Sequence, residues 1–145
     1  MGETAVQGLC FEDLAVGQSA EMHRVVGAAD IEAFAEVSGD NNPVHLDEAY
    51  AKATPFGARI AHGMLSGAYI SAILGTKLPG PGAIYLSQSL RFRRPVKIGD
   101  LVVARATITA LDDSKGRVTL ETLCQVDGKT VVDGEAVVIA PRRPA

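Results

Sequence analysis

Between Gly63 and Thr76 the chain is almost wholly apolar or small, with Met64, Leu65, Ala68, Ile70, Ile73 and Leu74 among its members. Such a run reads as a helix buried nearly all round. At about 1.5 Å per residue it extends roughly 21 Å, too short for a bilayer and suited to the axis of a small domain. After the Pro79-Gly80-Pro81-Gly82 turn the chain reads as strands: Ile84 to Pro95, Leu101 to Leu111, Val118 to Val126 and Thr130 to Ile139. Gly99-Asp100, Asp112 to Gly116 and Asp127-Gly128 separate them, and turns this short imply antiparallel neighbours. One long buried helix followed by long antiparallel strands describes an α+β domain whose sheet curls around that helix.

The length of 145 residues, 47% hydrophobic and 21% charged, fits one domain with one core, here expected over residues 11–139 with a frayed end at 141–145. A net charge of -3 argues against a nucleic-acid partner, which needs a basic surface. Cys10 and Cys124 stand far apart without a C-x-x-C pair or a histidine cluster at zinc spacing, so no disulfide framework and no metal site are expected. The N-terminus shows no basic-then-apolar leader and no apolar run reaches membrane-spanning length, so the expected setting is cytoplasmic, without a membrane partner.

Ahead of the long helix the elements are short. Phe11 to Gln18 reads as a loop and turn, and Ser19 to Val26 as a half-buried strand. Asp30 is placed to cap a helix through about Ser38, with Ile31, Phe34, Ala35 and Val37 apolar and Gly39 ending it. Asp40-Asn41-Asn42-Pro43-Val44-His45 then reads as a loop of fixed shape, because Pro43 lacks an amide hydrogen and disfavours helical geometry at Asn42. Asp47 can cap a second short helix from Glu48 to Ala53, ended by Pro55 and Gly57.

The run Phe34-Ala35-Glu36-Val37-Ser38-Gly39-Asp40-Asn41-Asn42-Pro43-Val44-His45, with Ala51 six residues beyond the histidine, resembles the hydratase-2 signature of MaoC-like, R-specific enoyl-CoA hydratases. The resemblance continues through Ala61-His62-Gly63-Met64-Leu65, Ile84-Tyr85-Leu86, Phe92 to Val96 and Gly99-Asp100, so it covers most of the chain. The short length is similar to that of the single-hotdog bacterial members that divert fatty-acid intermediates into polyhydroxyalkanoate synthesis. The resemblance implies a hotdog fold, a homodimer joined edge to edge through its sheets, and active sites near that interface. It implies reversible hydration of trans-2-enoyl-CoA to (R)-3-hydroxyacyl-CoA, with no metal or redox cofactor.

Adding water to an α,β-unsaturated thioester requires an activated water at C3, a proton for C2, and stabilisation of negative charge on the thioester oxygen. A carboxylate and an imidazole in one rigid segment can grip a single water, and the resemblance assigns this to Asp40, ionised, and His45, neutral. The oxyanion role falls to the backbone N–H of Gly63 at the start of the long helix, where free amides and the helix dipole favour negative charge. Ser71, Asn42 and His62 are expected in support, Ser71 and His62 by holding the active-site loop and Asn42 by side-chain hydrogen bonds within it. His23 reads as structural. Arg91, Arg93, Arg94 and Lys97 are candidates for the phosphates of coenzyme A. Leu65, Ile70, Leu74 and Leu86 either line an acyl tunnel or fill the core.

Neighbouring readings are a dehydratase acting on acyl-carrier-protein substrates or on a branched or dicarboxylic acyl-CoA. A hotdog thioesterase usually carries its carboxylate on the central helix, and Gly63 to Thr76 holds neither Asp nor Glu. A non-catalytic acyl-CoA binding module would need no Asp/His pair.

Overall fold

A computed structural model describes residues 8–144. After a single 3-10 turn at Phe11–Asp13, strand β1 (Ser19–Val25) leads into three short helices, α1 (Ala28–Ser38), α2 (Pro43–Leu46) and α3 (Glu48–Lys52). The long helix α4 (Gly63–Thr76) comes next, then β2 (Ile84–Gln88), β3 (Arg91–Phe92), β4 (Leu101–Asp112), β5 (Arg117–Val126) and β6 (Lys129–Ile139). The strands make one antiparallel sheet in the order β1-β4-β5-β6-β2, with β3 also paired to β6. This is the α+β arrangement the sequence predicts, a curved sheet around one helix.

Alternation along the strands explains where the core lies. Val102, Ala104, Ala106 and Ile108 of β4 are buried, as are Val118, Leu120, Thr122 and Cys124 of β5, so each strand turns every second residue inward. The register sets Ala104 opposite Cys124 and Ala106 opposite Thr122, and these small pairs let the sheet come close to α4. Bulges in β2, β4 and β6 bend the sheet about the helix. Leu65, Ser66, Tyr69, Ile70, Ile73 and Leu74 of α4 form the stripe that meets it.

Several expectations are corrected. Helix α4 is not buried all round: Gly63, Met64, Ala68, Ser71 and Gly75 form an exposed face, small except for Met64, beside the uncovered edge strand β2. Of the residues left open between tunnel and core, Leu65, Ile70 and Leu74 lie in the core. The segment ending in His45 is not all loop, because Pro43 sits at the first helical position, where its missing N–H costs nothing, and the Asn42 side chain caps the turn by accepting from Val44 N at 3.2 Å. Helix α1 starts three residues earlier than predicted; Asp30 does not precede it but reaches back from its first turn to accept from Gly27 N at 2.8 Å. Val37 faces solvent, at 83% exposure.

The strand predicted from Ile84 to Pro95 breaks at Ser89-Leu90, where the chain crosses closely over Gly134 of β6. Residues 141–143 are tied down rather than frayed: Pro141 accepts from Phe11 N at 2.8 Å, and Arg142 pairs with Asp113 at 2.9 Å and Glu12 at 3.3 Å. Arg143 pairs with Asp13. Among the described residues no helix is long and apolar enough to cross a membrane.

Candidate active site

Helix α1 ends at Gly39, whose φ of 80° lets the chain turn sharply into Asp40. The Asp40 carboxylate oxygen Oδ1 accepts from Asn42 N at 3.3 Å and so braces the turn into α2. One helical turn later His45 points inward and is 8% exposed. Its Nδ1–H donates to the Ile60 carbonyl at 2.8 Å, which fixes the tautomer and leaves Nε2 with a free lone pair in the neutral ring.

His62, the residue that leads into α4, packs against the same ring. The two imidazoles stack with centroids 3.9 Å apart and planes 28° apart, and Phe34 of α1 lies 4.8 Å from the outer one. His62 Nε2–H donates to the Asp40 backbone carbonyl at 2.9 Å, while its buried Nδ1 has no partner. His62 therefore contacts the Asp40 backbone and the ring face of His45.

Asp40, His45 and His62 each bring one nitrogen or carboxylate oxygen to within 4.8 Å of the others. A water hydrogen-bonded to two such groups at about 2.8 Å each spans about 4.6 Å at its tetrahedral angle. The spacing thus suits one water held between a carboxylate and an imidazole. Two histidines and a carboxylate are also residue types that ligate metals, and here His45 Nδ1 and His62 Nε2 already donate to backbone carbonyls, leaving one free nitrogen on each ring.

These groups open into a cavity of about 420 Å³ that Gly63, Ser66 and Phe92 also line. Gly63 is the first residue of α4, so its N–H has no partner within the helix. A β-carbon there would lie 2.6 Å from the Phe92 ring, so glycine is what allows the ring and the helix start to meet. Arg93 and Arg94 reach the cavity wall, Arg93 paired with Asp133 at 3.2 Å and Arg94 donating from Nη1 to the Thr130 carbonyl at 3.3 Å.

Other expected residues are not brought together here. Arg91 and Lys97 are exposed and outside this cavity. Ser71 lies on the exposed face of α4 and lines a second cavity of about 480 Å³ with Phe34, Tyr85 and Leu86. Met64 borders both cavities. His23 stays on β1, exposed, with Nε2 at 3.2 Å from Glu21. The sequence reading gave no site role to Ser66 or Phe92, which line the cavity. Ser66 was findable, since it lies three residues beyond Gly63 on one helical face.

Residues 13–131 match the family model of the MaoC-like domain. The chain is 54% identical to an (R)-specific enoyl-CoA hydratase of Rhodospirillum rubrum over 133 residues, 92% of each chain. With the (R)-specific enoyl-CoA hydratase of Aeromonas caviae it shares 47% identity over 90% of this chain and 98% of that one. Among solved structures it superposes on an unliganded R-hydratase of Pseudomonas aeruginosa with a TM-score of 0.90 and 52% identity, covering 95% of this chain and 89% of that one.

Proposed function

Since this chain belongs to the MaoC-like domain family, we propose that Asp40 and His45 hydrate trans-2-enoyl-CoA reversibly to (R)-3-hydroxyacyl-CoA. The fold is a hotdog and the enzyme is a hydro-lyase of the R-specific enoyl-CoA hydratase type.

In this reading one water sits between the Asp40 carboxylate and His45 Nε2. Its oxygen bonds to C3 of the enoyl thioester while the pair takes up one of its protons, and the electrons of the double bond move onto the thioester oxygen. The Gly63 N–H, at the positive end of α4, donates to that oxygen as charge develops. Collapse of the enolate then takes a proton at C2 from the acid/base pair, so the product carries both atoms of the O–H bond that was split. No step calls on a metal or a redox cofactor. Asn42 and His62 hold the loop, and Arg93 and Arg94 offer charge to the coenzyme A phosphates at the cavity wall.

A homodimer is part of the proposal. The uncovered β2 edge carries Ile84, Tyr85 and Leu86 at 57%, 40% and 43% exposure beside the small-residue face of α4. Unpaired strand groups next to apolar side chains invite a second copy to continue the sheet. That would also wall the second cavity, where Ser71 and Leu86 lie.

The observation that carries the reading is the spacing of at most 4.8 Å among the Asp40, His45 and His62 polar atoms. Loss of enoyl-thioester absorbance on mixing purified protein with crotonyl-CoA tests it. Asp40→Asn and His45→Gln, folded as judged by circular dichroism, are expected to lose about a hundredfold or more in kcat. A wild type inert on this and on longer enoyl-CoA chains would overturn hydration.

A further inference from the structure

Helix α2 is only one turn long, and a single turn has almost no stability of its own. The direction of the His45 ring therefore depends on what receives the free carbonyls at the end of that turn. Three groups from the segment just before α4 do so or act beside it. Ile60 N donates to the Val44 carbonyl at 3.3 Å, Arg59 Nε donates to the His45 carbonyl at 2.7 Å, and the Ile60 carbonyl accepts from His45 Nδ1 at 2.8 Å.

The Arg59 side chain is 13% exposed, so its bond to His45 is shielded from competing water. Its Nη2 is buried without a hydrogen bond, 3.9 Å from Glu32 of α1, so the guanidinium is held over α2 at the cost of an unfilled donor. A cation at a helix C-terminus also complements the dipole of the turn that carries His45. The segment is itself anchored to the cavity wall, because Ala61 N donates to the Val96 carbonyl at 2.7 Å and Ile60 bridges Lys97.

We propose that Arg59 is a positioning residue for His45: its Nε–H fixes the backbone of the histidine while Ile60 fixes the ring, so that Nε2 stays aimed at the reacting water. The proposal rests on the reading of His45 as half of the acid/base pair. Arg59 itself touches no substrate.

Arg59→Met removes the donor and keeps the length; Arg59→Lys restores a donor. Both are compared with wild type for Tm, for kcat and KM on crotonyl-CoA, and for solvent exchange of the His45 Nδ1 proton by NMR. The expected result is a folded Arg59→Met with kcat lowered about tenfold or more, KM within about twofold and faster Nδ1 proton exchange, with part of each change recovered in Arg59→Lys. Wild-type kcat in a folded Arg59→Met overturns it, and so does failure of both variants to fold, since Arg59 then holds the fold rather than the histidine. Should only Arg59→Met fail to fold, Arg59→Lys decides: slower turnover with faster exchange supports the role, and no change in either overturns it. An inactive wild type would defeat the hydratase reading alone, because the exchange measurement still reports whether Arg59 orders His45.

Discussion

At the scale of single residues, the two cysteines have different fates. Cys124 is fully buried on the inner face of β5, its Sγ 3.6 Å from the Ser66 carbonyl, and burial pushes its thiol up to about 12. At pH 8 about one molecule in ten thousand would carry the reactive thiolate there. Cys10 is half-buried. The native protein should therefore release one equivalent of chromophore from a disulfide reagent at pH 8, and the denatured protein two; a native count of two would mean that β5 opens readily. The proposed acid/base residues stand out in the sequence because Asp40 and His45 lie five positions apart in one signature with Pro43 between them. His62, which meets Asp40 across 22 positions, was named through the resemblance rather than through local spacing. Arg59, which meets His45 across 14, was not, because nothing in local spacing announces a contact made by tertiary packing.

At the scale of elements, the kink between β2 and β3 depends on one missing side chain. A β-carbon at Gly134 would lie 1.8 Å from the Ser89 carbonyl oxygen, a backbone atom that cannot swing aside. Gly134→Ala is expected to destabilise the protein by about 3 kcal/mol and lower Tm by roughly 5–10 °C, measured by calorimetry. The bounds of α4 and the antiparallel order of β4, β5 and β6 were readable from apolar runs and turn residues. The break at Ser89-Leu90 was not, because alternation continues through it and the cause sits on a strand more than 40 residues later. At α2 the signal was present, Asn42 as cap and Pro43 in the first turn, but proline also ends helices and the two meanings conflict at that position.

At the scale of the whole molecule, the exposed β2 edge and the open face of α4 lie on one side of the sheet, and the proposed partner copy would cover both. Leu86→Arg puts a charge in the middle of that edge. Light scattering after size exclusion is expected to show a monomer for this variant and a dimer for wild type, with turnover reduced in the monomer; a monomeric wild type would remove the interface from the proposal. Both proposed reacting side chains are carried by the excursion from Ala28 to Lys52, which takes no part in the sheet. Its buried residues are Ile31, Ala35, His45 and Ala51, and the short bonds from residues 59–62 fasten it to the rest. Detaching such an excursion disrupts far less apolar contact than dissolving the strands does, so the two have separate opening free energies. Heat would therefore silence the enzyme before it melts it, and resistance to inactivation would come from stitching this excursion more tightly rather than from a denser core.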